Sequence, residues 1–212
     1  MPAQTSESLI LRTYPLKEAD LIVSFLTRDQ GKLRGVANRA RRLKSGYGAG
    51  LERLTQAQVT YYAKENRELA RIDSCELIRA CFTSVTYDQT VALDYIAEVS
   101  EALLPPHEVN ERFFRLIVAV VADIEAGTGQ SIWKGLTYFT LWAVRLQGFL
   151  PQLQVAEESR EIARQMMHTP VSAMPSEPWS KSTAEDLRRA LVQLIEEQTE
   201  RRLVTVRYLE TL

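Results

Sequence analysis

The feature that most constrains this fold is a change of periodicity near residue 80. Before it, short alternating or β-branched stretches are separated by turn residues; after it, apolar residues recur at spacings of three and four. Residues 8–14, bounded by Pro15, then 21–27 and 32–37 are the first three strand candidates. The Asp29-Gln30-Gly31 turn between the second and third is short enough to make them an antiparallel hairpin. Residues 55–63 and 68–77 supply a fourth and fifth strand, joined through 64–67. Five short strands in so little chain fit a small closed barrel better than a sandwich.

Beyond residue 82 the pattern is helical. Val91, Tyr95, Val99 and Ala102 form one stripe, ended by Pro105 and Pro106. Asn110 is placed to cap the next helix, with Phe113, Ile117, Val121 and Ile124 on one face and Gly127 as its stop. A third helix, from Ser131 to Gly148, is apolar nearly all round and is expected at the centre of a bundle. A short helix over 157–167 is followed by a loop marked by Pro170, Pro175 and Pro178. Ser182-Thr183-Ala184-Glu185 reads as a capping box opening a last helix, with Leu187, Leu191, Leu194 and Ile195 inward. The expected fold class is therefore α+β, with a five-stranded β-barrel domain over 1–80 and an α-helical bundle domain over 81–212.

The longest apolar run, 116–122, is far below the ~20 residues of a membrane-spanning helix, and no secretion leader is evident. The chain is read as cytoplasmic, and Cys75 and Cys81 as buried free thiols. The net charge of −1 conceals an asymmetry. Residues 1–80 carry fourteen basic and nine acidic side chains, and the remainder is acidic by six. Within 28–44 stand Arg28, Lys32, Arg34, Arg39, Arg41, Arg42 and Lys44 against the single Asp29, a concentration that attracts polyanions.

No catalytic constellation emerges. The chain lacks a P-loop and a nucleophile elbow. Its two histidines, His107 and His168, have no ligand partners at metal-site spacing, so neither metal nor cofactor is expected. Gly46, Gly48 and Gly50 read as a flexible hinge. Lys32 and Arg34 share a strand face, and the strand runs into a loop holding Arg39, Arg41, Arg42 and Lys44. Together they can follow a phosphodiester backbone without reading bases. Tyr47 in that loop and Tyr62, on the opposite strand face from Tyr61, are candidate base-stacking platforms. Ordinary packing or plain exposure is the alternative for each.

The ordered set Leu9-Ile10-Leu11-Arg12-Thr13-Tyr14, Glu18-Ala19-Asp20, Phe25-Leu26-Thr27-Arg28, Gly31-Lys32-Leu33 and Val36-Ala37-x-x-Ala40-Arg41-Arg42 resembles RecO, a family of bacterial recombination mediators and DNA-repair proteins. The likeness continues through Tyr61-Tyr62, Glu76-Leu77 and Phe113-Phe114 to Gly148-Phe149-Leu150-Pro151 and Tyr208-Leu209. The resemblance implies an N-terminal OB-fold, a helical domain and no enzymatic activity. It implies binding of single- and double-stranded DNA, strand annealing, and RecA loading together with RecR. It also implies capture of the acidic C-terminal tail of single-strand-binding protein, for which Arg112, Arg115 and Lys134 are candidate rim cations.

The chain departs from the family pattern twice. Many members carry a four-cysteine zinc module after the Gly-Phe-Leu-Pro segment; here 152–212 contain no cysteine, so 152–181 are read as a reduced remnant of that module or a loop. Where the family commonly has Ala-Lys-Gly-Ala, this chain has Ala37-Asn38-Arg39-Ala40, which moves the charge by one position. Two other readings stand beside the mediator: a protein-interaction adaptor with little DNA binding of its own, and an RNA-binding OB module.

Overall fold

The computed structural model describes residues 2–42, 45–63, 68–80, 86–127, 131–175 and 179–212, the side chain of Ser131 apart. The chain gathers into two compact units, one of Met1–Thr83 with Leu104–Phe114, the other of Ser84–Leu103 with Arg115–Leu212.

The first unit is a closed barrel of β1 (Gln4–Leu16), β2 (Asp20–Thr27), β3 (Gly31–Ala37), β4 (Gln56–Tyr62) and β5 (Ala70–Arg79), in the order β1-β2-β3-β5-β4. All neighbours are antiparallel except β3 and β5, which run parallel through Gly35↔Ala70, Val36↔Arg71 and Ala37↔Ile72. This is the OB-fold. Strand β1 serves both β4, up to Leu9, and β2, from Ser8 onward, and a bulge between Ile10 and Arg12 bends it from one to the other. Pro15 does not end β1, which continues to Leu16 opposite Asp20. Beyond Ile10 the strand pairs with β2 alone, and proline is tolerated at such an edge.

Alternation sends Ile10, Val23, Phe25, Leu33, Val59 and Tyr61 into the barrel. There Phe25 and Tyr61 meet edge to face, with ring centroids 5.7 Å apart. Burial of each large side chain contributes roughly 2–3 kcal/mol, which sets the strand register. The glycine-bearing loop after β3 is no hinge. A 3₁₀ turn, Gly48–Leu51, folds it over the barrel, and the Cys75 thiol donates to the Gly50 carbonyl at 3.0 Å. A Cβ at Gly50 would lie 2.9 Å from the Cys75 carbonyl oxygen, so only glycine permits this approach. The segment Leu104–Phe114 runs along β3: the His107 N–H donates to the Lys32 carbonyl at 3.0 Å, and Pro106 bridges to Lys32.

The second unit is helical: α1 (Tyr87–Leu103), most of α2 (Glu111–Ala126), α3 (Ser131–Leu146), α4 (Glu157–His168), α5 (Glu185–Thr199) and the short α6 (Val206–Leu209). The Asn110 side chain accepts the Phe113 N–H at 3.0 Å and caps α2 as its sequence position predicts. Helix α3 is buried nearly all round and packs on α1, α4 and α5, with the Thr140 and Tyr95 hydroxyls hydrogen-bonded at 2.9 Å. The capping box expected at 182–185 does not form. Those residues make a turn, with Ala184 left-handed at φ 52°, and α5 begins at Glu185 without a side-chain cap. Glu98 on α1 accepts the Val204 and Thr205 N–H groups at 2.9 and 2.8 Å and ties down the segment before α6. No helix among the described residues is long and apolar enough to cross a membrane.

Candidate nucleic-acid interface

Barrel register arranges the outward side chains in rows. The row Leu9, Leu26, Lys32 is buried. The next is Arg12, Ser24, Arg34, with both arginines exposed. The third crosses every strand: Tyr14 opposite Ile22, Ile22 opposite Val36, Val36 beside Arg71, and Arg71 opposite Tyr62. In it Arg71 is exposed and the other four are half-buried. Each tyrosine carries a guanidinium over its ring, Arg12 at 5.1 Å from the Tyr14 centroid and Arg71 at 4.6 Å from that of Tyr62. Arg71 also faces Asp73 at 3.5 Å, an exposed pair worth little.

The basic loop lies past the end of these rows. The Arg39 N–H donates to Asp20 at 2.7 Å, and the Arg41 N–H donates to the Ala19 carbonyl at 3.0 Å. These bonds fasten the loop to the β1–β2 turn. Arg39 sits left-handed at φ 56°, and the side chains of Arg39, Arg41 and Arg42 are exposed. The backbone at Arg39 and Arg41 is therefore held while the side chains of Arg39, Arg41 and Arg42 are exposed. Arg53 adds to the other side. Burial first, then the positive charge of Arg12, lowers its pKa.

Three expected site residues are not where the sequence reading put them. Lys32 faces outward as alternation requires, yet it is buried because Pro106 and His107 lie over its strand. Tyr47 is no platform: it is buried in the barrel core, its hydroxyl donates to the Ile72 carbonyl at 3.1 Å, and burial raises its pKa. Lys134 is not a rim cation. It is buried in the helical unit and paired with Asp123 at 2.9 Å. Lys44 lies outside the described residues. Arg34, Arg39, Arg41 and Arg42 are exposed, Tyr62 is half-buried, and Arg112 and Arg115 are exposed on α2. Arg28, counted in the basic run, is engaged by Glu7 at 2.5 Å and lies over the Phe114 ring at 5.2 Å. Arg12, Tyr14 and Arg71 are not among the residues the sequence singled out; strand register sets Arg12 in line with Arg34 and Arg71 opposite Tyr62, and the parallel pairing of β3 with β5 joins the two sets.

Fold and surface together define an OB-fold protein with a cationic face studded with aromatic rings. Residues 1–81 match the family model described as Recombination protein O N terminal. The whole chain is similar to the DNA repair protein RecO of Koribacter versatilis (strain Ellin345), 38% identical over 242 aligned residues that cover 98% of each chain. RecO of Bifidobacterium animalis subsp. lactis (strain AD011) is 36% identical over 72% of this chain and 64% of its own length. RecO of Anaeromyxobacter sp. (strain K) is 28% identical over 68% and 57% respectively. The chain belongs to the RecO family of DNA repair proteins.

Proposed function

We propose that this chain is a sequence-independent DNA-binding recombination mediator. It anneals complementary strands and, with RecR, assists RecA loading on DNA coated by single-strand-binding protein. The observation that carries the reading is the outer barrel face, where Arg12, Arg34 and the Arg39–Arg41–Arg42 loop flank a row that contains Arg71 and ends in two tyrosines. Guanidiniums on a rigid sheet hold phosphates of any sequence. The role is binding by residues 1–80 and partner engagement by residues 81–212, without catalysis.

For the acidic tail of single-strand-binding protein the helical unit offers a pocket of about 130 Å³ between α3, α5 and α6. Trp133, Leu136, Val206 and Leu209 give it an apolar lining, and Lys181 and Arg189 stand at the same pocket beside Glu185 and Glu210, Arg189 being paired with Glu185 at 2.8 Å. An acidic peptide with an aromatic end would use the apolar lining and compete with Glu185 for Arg189. Arg112 and Arg115 are further exposed cations for an acidic partner.

The test is fluorescence anisotropy with a labelled single-stranded DNA and an RNA of the same sequence, beside capture assays with RecR and the tail peptide. The mediator reading expects DNA binding at low salt and retention of both partners. Partner capture without DNA binding would establish the adaptor reading instead, and a marked preference for RNA would establish the RNA-binding one.

A further inference from the structure

We propose that Tyr14 and Tyr62 are base-stacking residues, so that this face takes unpaired bases and the barrel itself distinguishes single-stranded from duplex DNA. The inference rests on the reading that the face binds DNA. It adds which chemical part of DNA is engaged and which residues engage it.

The argument begins with the row Tyr14, Ile22, Val36, Arg71, Tyr62. Four spacings of about 4.8 Å separate its ends, roughly 19 Å along the sheet. Its interior holds Ile22 and Val36, both half-buried, and the exposed Arg71, and its ends are aromatic. Arg12 and Arg34 flank it on one side, two residues along their strands, and the Arg39–Arg42 loop lies past its other side. A strand laid along this row places bases on an apolar and aromatic stripe and phosphates against cations on both flanks. A duplex buries its base faces in its own stack and meets only the cations.

The two guanidiniums over the rings serve the same end. Arg12 and Arg71 hold each ring by cation–π contact and present a planar surface on which a base can also stack. They also pair with phosphate. If the two pairs were only surface stabilisers, their rings would be indifferent to whether a ligand carries bases.

The experiment measures binding of wild type, Tyr14→Leu, Tyr62→Leu, Tyr14→Phe and Tyr62→Phe to three labelled probes at several salt concentrations. The probes are oligo-dT, an abasic oligonucleotide of equal length, and a blunt duplex. Each leucine variant is expected to bind oligo-dT roughly tenfold more weakly with an unchanged salt slope, because a ring is lost and no charge is. On the abasic and duplex probes the same variants stay within about twofold of wild type, and the phenylalanine variants do so on all three. Wild type alone supplies a second measure, independent of any variant's folding. It should prefer oligo-dT to the abasic strand by roughly a hundredfold, two rings at tenfold each. Equal losses on oligo-dT and abasic probes, or no preference by wild type, would overturn the stacking assignment while leaving the cationic face intact. Failure of wild type to bind any probe at low salt would overturn the DNA-face reading beneath it.

Discussion

Replacing Lys134 by alanine should destabilise the helical unit severely. The Lys134 ammonium lies 2.9 Å from Asp123 Oδ1, and the two side chains are only 11% and 9% exposed. Asp123 Oδ2 is already buried without a hydrogen-bond partner. Removing the lysine leaves a carboxylate with no countercharge in a site that water hardly reaches. Breaking one partner of such a pair costs about 3–5 kcal/mol. With a urea slope of about 1.5 kcal/mol/M, even the lower figure moves the unfolding midpoint down by roughly 2 M. All three tryptophans, Trp133, Trp142 and Trp179, lie in the helical unit, so their fluorescence follows its unfolding alone. The paired change Lys134→Met with Asp123→Leu removes both charges and should recover most of the loss, since apolar replacements of buried pairs are often neutral. A midpoint shift below about 0.3 M for Lys134→Ala would refute the reasoning and return Lys134 to the surface as a partner contact.

Two further outcomes follow from the barrel. Gly31→Ala forces a side chain onto a residue at φ 74° and places its Cβ 2.3 Å from the Glu108 carbonyl oxygen, so Leu104–Phe114 must shift from β3. Faster amide exchange at His107, whose N–H is bonded to the Lys32 carbonyl, is the expected readout, and unchanged protection would contradict it. Burial raises the pKa of Cys75 from 9.0 to about 11. The folded state therefore keeps a proton that the unfolded chain releases, and this contribution to stability, complete below pH 9, is lost as pH rises to about 11. Cys75→Ser should flatten that part of the stability profile, and an identical profile for both proteins would show that the thiol does not titrate there.

Much of this architecture can be read locally. Strand alternation, the Asn110 cap and the all-round apolar character of α3 are properties of neighbouring residues, and the structure carries all three. What could not be read depends on contacts distant in sequence. The parallel pairing of β3 with β5 brings Arg71 beside Val36, and no local pattern announces it. Lys32 is basic and on the correct strand face, but a segment more than 70 residues away covers it. Tyr47 sits among arginines and glycines in sequence, yet the 3₁₀ turn after it closes over the barrel and draws the ring inside. The apparent capping box at 182–185 contains suitable residue types, but Thr183 spends its hydroxyl on the Ser180 N–H and the chain turns left-handed at Ala184.

The most direct test of the central claim, that an exposed cationic barrel face holds the DNA backbone, is the salt dependence of single-strand binding. It should be measured by anisotropy on wild type and on a variant with Arg39, Arg41 and Arg42 all changed to alanine. If about five phosphates are engaged, log K falls against log salt with a slope of roughly −3.5 in wild type. Losing three contacts brings the slope to roughly −1.4 in the variant. Between 50 and 200 mM salt that is about a hundredfold loss of affinity in the first case and under about tenfold in the second. Parallel slopes for the two proteins, or wild-type binding that salt does not weaken, would contradict the account.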